Sequence, residues 1–166
     1  MTLAATRVEL VEWHALGASE RAAVLALRIN EAQLEFAGPI ARSVAACEAG
    51  DRVEVAGLAV RAGHDIVGWV VLKRGASAPD WVEAGAAVVS GLRIDAGQQG
   101  RGLGGAALQA MADWVTSHWP STTALMLRVD DGNAAGIRAY EKAGWTEIGE
   151  RRVGRVGVER TMALLL

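Results

Sequence analysis

Polar and apolar residues largely alternate through Arg7-Val8-Glu9-Leu10-Val11-Glu12-Trp13, the period-two pattern of a strand with one buried face. Ser19 stands where a helix N-cap belongs, and the spacing beyond it predicts a helix to about Asn30. A second helix is expected over 40–49, between Pro39 and Gly50. Proline is tolerated at a helix start because its missing N–H would be unpaired there anyway. Val- and Ile-rich runs at 53–61 and 65–73 flank Gly63-His64-Asp65 and read as a hairpin. After a loop over 74–80, residues 82–94 supply a long strand ending in Leu92-Arg93-Ile94. Leu103, Ala107, Ala110, Met111 and Trp114 recur at helical spacing, which predicts a helix over 103–118 with one buried face, and Pro120 marks its exit. A strand over 123–129, a short helix over 134–143 closed by Gly144, and a hairpin of 146–153 with 156–165 complete the pattern.

The order βααβββαβαββ describes a mixed α/β (α+β) architecture of about seven strands and four helices. The early strands read as an antiparallel meander. With no repeat and no dividing linker, residues 1–166 are expected to form a single domain. Half the residues are apolar, enough to fill a core without disulfides or metal. The formal net charge is -2, and basic residues are dispersed except for Arg151, Arg152 and Arg155, so the chain lacks the electrostatic footprint of a nucleic-acid binder. A small-molecule partner fits better.

The single Cys47 cannot form an internal disulfide, and the first six residues lack the basic and apolar regions of a signal peptide, so a cytoplasmic location is expected. No apolar run approaches the roughly 20 residues that span a bilayer. His14, His64 and His118 are too scattered for a metal site. Cys47 sits in an alanine-rich helical segment and reads as a small buried residue.

Chemistry concentrates at one junction. Gly100, Gly102, Gly104 and Gly105 lie between the strand ending at Ile94 and the first turn of the 103–118 helix. A loop without β-carbons lets an anion approach the backbone, and the free N–H groups and dipole of a helix N-terminus attract it. A phosphate or pyrophosphate is the natural ligand, with Arg101 able to add a full charge. Gly100, Gly102 and Gly105 also satisfy Gly-x-Gly-x-x-Gly, but no acidic residue follows at the next strand, as a dinucleotide fold would require. No Gly-Lys-Ser or Gly-Lys-Thr is present for a nucleoside-triphosphate loop.

The run Leu92-Arg93-Ile94-Asp95-Ala96-Gly97-Gln98-Gln99-Gly100-Arg101-Gly102-Leu103-Gly104 resembles the acetyl-CoA motif of the GNAT N-acetyltransferases. Asn133-Ala-Ala-Gly-Ile-Arg-Ala-Tyr140-Glu-Lys-Ala-Gly144-Trp145 resembles the second signature of that family. Together they cover about residues 85–150. Trp145 stands where Phe is commonest, and Ala96 where Pro often ends the strand. The resemblance implies a GNAT fold and acetyl transfer from acetyl-CoA to an amine in a ternary complex. Pantetheine would pair along Leu92 to Ile94, and the Ile94 N–H or a neighbour's would face the thioester oxygen. The pyrophosphate would sit on Gln99, Gly100, Arg101, Gly102, Leu103, Gly104 and Gly105. Asn133 would contact the coenzyme as well as cap its helix, and Tyr140 would protonate the departing thiolate.

An ammonium of pKa near 10.4 costs roughly 4.6 kcal/mol to deprotonate at pH 7, so a base or water relay is expected. Glu83 is the base singled out, with Glu31, Glu35 and Asp95 as others. The segment from Leu27 to Phe36 faintly resembles the acceptor helix of polyamine-type members. A non-catalytic acyl-CoA sensor is the alternative, and a nicotinamide-dependent oxidoreductase a remote one. Relatives that dimerise through late strands imply a possible homodimer through 153–166.

Overall fold

A computed structural model describes residues 6–166. The chain runs β1 (Glu9–Glu12), α1 (Ala18–Leu25), α2 (Glu31–Ala37), α3 (Ile40–Ala49), β2 (Val55–Ala62), β3 (Asp65–Arg74) and β4 (Ala86–Ile94). It continues through α4 (Leu103–His118), β5 (Ala124–Asp130), α5 (Ala134–Lys142), β6 (Thr146–Val153) and β7 (Val158–Leu165). Seven strands form one sheet in the order β1-β2-β3-β4-β5-β7-β6. Every pairing is antiparallel except that of β4 with β5.

Alternation along β2 and β3 builds a core on each face of the sheet. Leu58, Val70 and Leu72 pack with Leu108, Met111 and Trp114 of α4, while Ala59, Trp69 and Val71 pack with Val24 of α1 and Ile40, Val44 and Cys47 of α3. The α1–α3 layer thus covers one face and α4–α5 the other. Cys47 is buried, as its apolar segment implied, and burial raises the pKa of its thiol.

Several boundaries differ from the sequence pattern. Gly17, not Ser19, is the N-cap of the first helix, which places Ser19 inside its first turn. The first helix stops at Leu25, and a separate seven-residue helix follows, giving five helices rather than about four. Asn30 restarts the helix: its side chain accepts from the Gln33 N–H at 2.9 Å, and Gln33 Oε1 accepts from the Asn30 N–H at 3.2 Å. This reciprocal cap satisfies two of the free donors at the new N-terminus. The strand expected over 82–94 begins only at Ala86, because Gly85 takes a φ of 82°, outside the extended region.

The sheet opens between β4 and β5. Their parallel pairing covers only Ala86 to Val88 against Ala124 to Met126, and beyond it the strands part. On its other edge β4 stays paired with β3, through a register shift around Gly91, whose φ of 59° makes a bulge. Among the described residues no helix is long and apolar enough to cross a membrane.

Candidate active site

Two adjoining cavities occupy the opening. One, of about 360 Å³, lies between the Gly100–Gly104 turn, the end of β4 and α5. The other, of about 250 Å³, lies between α2 and the parted strands β4 and β5. Leu92, Gln99, Asn133 and Tyr140 line both. The two depressions therefore form one cleft.

The glycine turn has the geometry of an anion cradle. Gly100 and Gly102 take φ values of 78° and 75°, open to glycine and costly to other residues. A β-carbon at Gly100 or Gly105 would meet nothing within 4 Å, so the backbone faces open space. Among the described residues no protein acceptor meets the N–H groups of Gly100, Gly102, Leu103, Gly104 or Gly105; the first intrahelical bond is Ala106 N–H to Gly102 O at 3.1 Å. Free donors converging at a helix N-terminus suit a phosphate. Ile94, Gly100, Gly102, Leu103 and Gly104 line this cavity, whereas Arg101 and Gly105 do not. Arg101 is exposed and its guanidinium donates to the Gln98 side chain. Gly105 is exposed one residue too far into the helix, though its N–H still points out of the first turn.

The β4 edge supplies backbone donors. Asp95 N–H bonds to Val67 O at 2.8 Å while Ile94 pairs in register with Gly68, so Ile94 turns its own N–H and C=O away from β3, toward the cleft. The Ile94 carbonyl is held by Gln33 Nε2 at 2.8 Å and Gln99 Nε2 at 3.2 Å. Gln99 thus braces the strand end with its side chain. Strand alternation puts the Leu92 N–H on the same side as that of Ile94.

Arg93 is 2 % exposed and meets no carboxylate among the described residues. Its guanidinium donates to Gly91 O at 2.7 Å, to Gly38 O at 3.0 Å and to Ala37 O. It fastens the bulge to the end of α2, and burial lowers its pKa. Sequence reasoning missed this role, since a strand arginine usually reads as a solvated edge.

Tyr140 stands where the cavities meet. Its ring packs on Trp145 with centroids 5.8 Å apart, and burial pushes its phenol above the usual value, keeping it protonated. Asn133 caps α5, accepting from Gly136 N–H at 3.1 Å, and also lines the cleft.

The carboxylates considered as bases stand elsewhere. Glu83 is exposed on the loop before β4, beside a separate depression. Six residues of strand separate Ala86 from Leu92, about 20 Å at 3.3 Å per residue. Glu31 and Glu35 are exposed and line neither cavity. Asp95 is buried and committed to Arg28 at 2.9 Å and to the N–H groups of Arg28 and Gly97. The only carboxylate lining the cleft among the described residues is Asp130, whose Oδ1 is buried without a hydrogen-bond partner. The break that Arg128 and Asp130 make in an otherwise apolar strand was the available signal for it.

Fold and site together define an α/β domain with an anion cradle beside a parted parallel strand pair. A family model for the acetyltransferase (GNAT) family matches residues 24–145. The chain belongs to that family. Solved structures agree in fold. The aminoglycoside acetyltransferase AAC(6')-Ib in complex with coenzyme A is 20% identical, with a TM-score of 0.72 over 95% of this chain and 94% of that one. A ribosomal-protein alanine N-acetyltransferase from Escherichia coli is 21% identical, with a TM-score of 0.65 over 95% and 93%. A spermidine N-acetyltransferase chimera from Vibrio cholerae and hSSAT is 17% identical, with a TM-score of 0.72 over 96% and 95%. No curated protein matches the chain in sequence.

Proposed function

We propose that residues 1–166 form a single N-acetyltransferase domain that moves an acetyl group from acetyl-CoA to a primary amine by direct attack in a ternary complex. The observation that carries this reading is the continuity of the cleft, in which anion cradle, unpaired β4 edge and Tyr140 follow one another. The coenzyme pyrophosphate sits on the N–H groups of Gly100 to Gly105, and the pantetheine arm adds to β4 along Leu92 to Ile94. One neighbour is named with coenzyme A, and the three neighbours' names give three different acceptors.

The amine nitrogen attacks the thioester carbon, and the Ile94 N–H stabilises the oxygen as it gains charge. The attacking nitrogen loses a proton toward Asp130, directly or through water, Asp130 being the carboxylate that lines the cleft where Glu83 does not. The C–S bond breaks and the thiolate takes the proton of Tyr140. Phenol of pKa 10 to thiolate of conjugate-acid pKa 8.5 is uphill by about 2 kcal/mol, and burial adds to that cost. The proton that the positively charged nitrogen gives up returns through Asp130 and water to the Tyr140 phenolate, so the phenol is restored and an acceptor that arrives as an ammonium releases one net proton to solvent.

The partner reading extends to a second copy of this chain at the sheet edge, where β6 is the last strand among the described residues and Val153 and Val158 are exposed. A cytoplasmic location is in keeping with a coenzyme made and used inside cells.

A thermal-shift titration with acetyl-CoA, CoA and a reduced dinucleotide tests the coenzyme. A ligand at about 100 times its Kd adds roughly 2.7 kcal/mol, so both CoA species are expected to raise Tm and the dinucleotide to leave it unchanged. Gly100→Asn and Gly100→Asp sharpen the test, since both tolerate positive φ and only the second brings a negative charge to the cradle. Selective loss of the CoA shift in the aspartate variant is expected; equal shifts in both variants would remove the cradle from coenzyme binding.

A further inference from the structure

The acceptor half of the cleft carries one carboxylate and one guanidinium, Asp130 and Arg128, among the described residues. They lie two residues apart on β5 and so face the same side of the sheet. Opposite charges so placed would be expected to pair, yet no ion pair joins them within 4 Å. The Arg128 guanidinium instead lies over the Trp81 ring, 4.1 Å from its centroid. A contact of this kind holds the cation against the ring face without using its N–H donors. Arg128 Nε and Asp130 Oδ1 are both buried without a hydrogen-bond partner. An unmet buried polar group costs about 1–3 kcal/mol, and more when charged. Two of opposite sign, in one cavity and held apart, form a receptor for a ligand carrying both charges.

We infer that the acceptor is a zwitterion of the amino-acid type, whose ammonium is received by Asp130 beside Tyr140 and whose carboxylate is received by Arg128. This deepens the acetyl-transfer reading and rests on it. The surroundings agree. Glu159, opposite Asp130 across the β5–β7 pairing, and Arg152 both bear on the Arg128 guanidinium with opposite sign, and they meet each other at 3.9 Å, so neither is committed to Arg128. Glu31 and Glu35 are exposed and line neither cavity, so they add no negative charge to the wall of the cleft. A polyamine or aminoglycoside would find one carboxylate and a like-charged guanidinium.

The test is a thiol-release assay with acetyl-CoA on free amino acids, the same amino acids as carboxamides, spermidine and an aminoglycoside. A site built to hold a carboxylate rejects the analogue lacking it, so kcat/KM for the best amino acid should exceed that of its amide by about tenfold or more. Arg128→Met keeps the stem against Trp81, and should bring that ratio close to one while acetyl-CoA still raises the Tm of the variant. Arg128→Lys should restore part of it. Spermidine, the aminoglycoside or an amide turning over as well as the amino acids would overturn the inference and leave acetyl transfer standing. So would an Arg128→Met variant with an unchanged ratio. If acetyl-CoA stabilises the protein and no amine in the panel is acetylated, the transfer reading falls and this inference with it.

Discussion

The guanidinium of Arg93 donates at 2.7 Å to the carbonyl of Gly91, two residues back on the same strand, across a bulge that only a left-handed glycine opens easily. The same group reaches the carbonyls of Ala37 and Gly38 at the end of α2. One buried side chain thereby sets both the bend of β4 and the position of the helix that walls the cavity between α2 and the parted strands. Arg93 is a positioning residue, since it lies under the cleft and lines neither cavity of it.

Replacing Arg93 by Met should leave those three carbonyls without their donor. At about 1–3 kcal/mol for each buried group left unmet, a loss of at least 3 kcal/mol is expected, read as a lower urea midpoint. In folded variant at low temperature, KM for the acceptor should rise and kcat should fall together, since wall and oxyanion donor both shift. Arg93→Lys, which offers three donors without the planar fork, should recover part of the stability and less of the kcat. An unchanged kcat with only a lower midpoint would reduce Arg93 to a packing role.

Tyr140→Phe should reduce kcat by about 10² to 10⁴, the usual contribution of a positioned acid. The Tm rise with CoA should survive, because the ring keeps its contact with Trp145 and the cradle is untouched. A variant with normal turnover would show that solvent, rather than this phenol, protonates the thiolate.

Asp95 gives a pH signature. Burial pushes its carboxyl upward, but the hydrogen bonds from the Arg28 side chain and from the N–H groups of Arg28 and Gly97 outweigh burial and hold it below its ordinary value of 3.8. A depressed folded pKa contributes stability above the unfolded pKa of about 3.9, lost as pH falls through the lower folded value. Asp95→Asn should therefore cost about 1–2 kcal/mol at pH 6, the range for hydrogen bonds to a charged group discounted for the exposed Arg28. The gap from wild type in urea unfolding should narrow below pH 4. A gap constant from pH 6 to pH 3 would remove the charge from the account.

The order of strands and helices, the hairpin at Gly63 and the cradle at Gly100 to Gly104 were legible in the sequence, because each rests on local causes. Periodicity reports which face is buried, and glycine at a strand-to-helix junction reports a backbone that must come close to something. Helix α2 was blurred into its neighbour because its cap, Asn30 with Gln33, is a short-range device with no hydrophobic signal of its own. Tyr140 was singled out by the resemblance of its segment to the second family signature, since its helical spacing alone reads as a core aromatic.

What no local pattern could decide is which distant side chains share a cavity. Glu83 precedes β4 and seemed near the cleft along the chain, yet the length of the strand from Ala86 carries it away from Leu92. Asp95 sits beside the cradle in sequence and is consumed by Arg28, 67 positions earlier. Asp130 and Arg128 reach the cleft only because β4 and β5 part after three paired residues, and Arg128 stays apart from Asp130 only because Trp81 lies against it. Sequence determines the periodic elements and the backbone chemistry of the loop, since those depend on neighbours a few bonds away. Tertiary packing decides the charges, because burial and pairing depend on what the fold brings within a few ångströms.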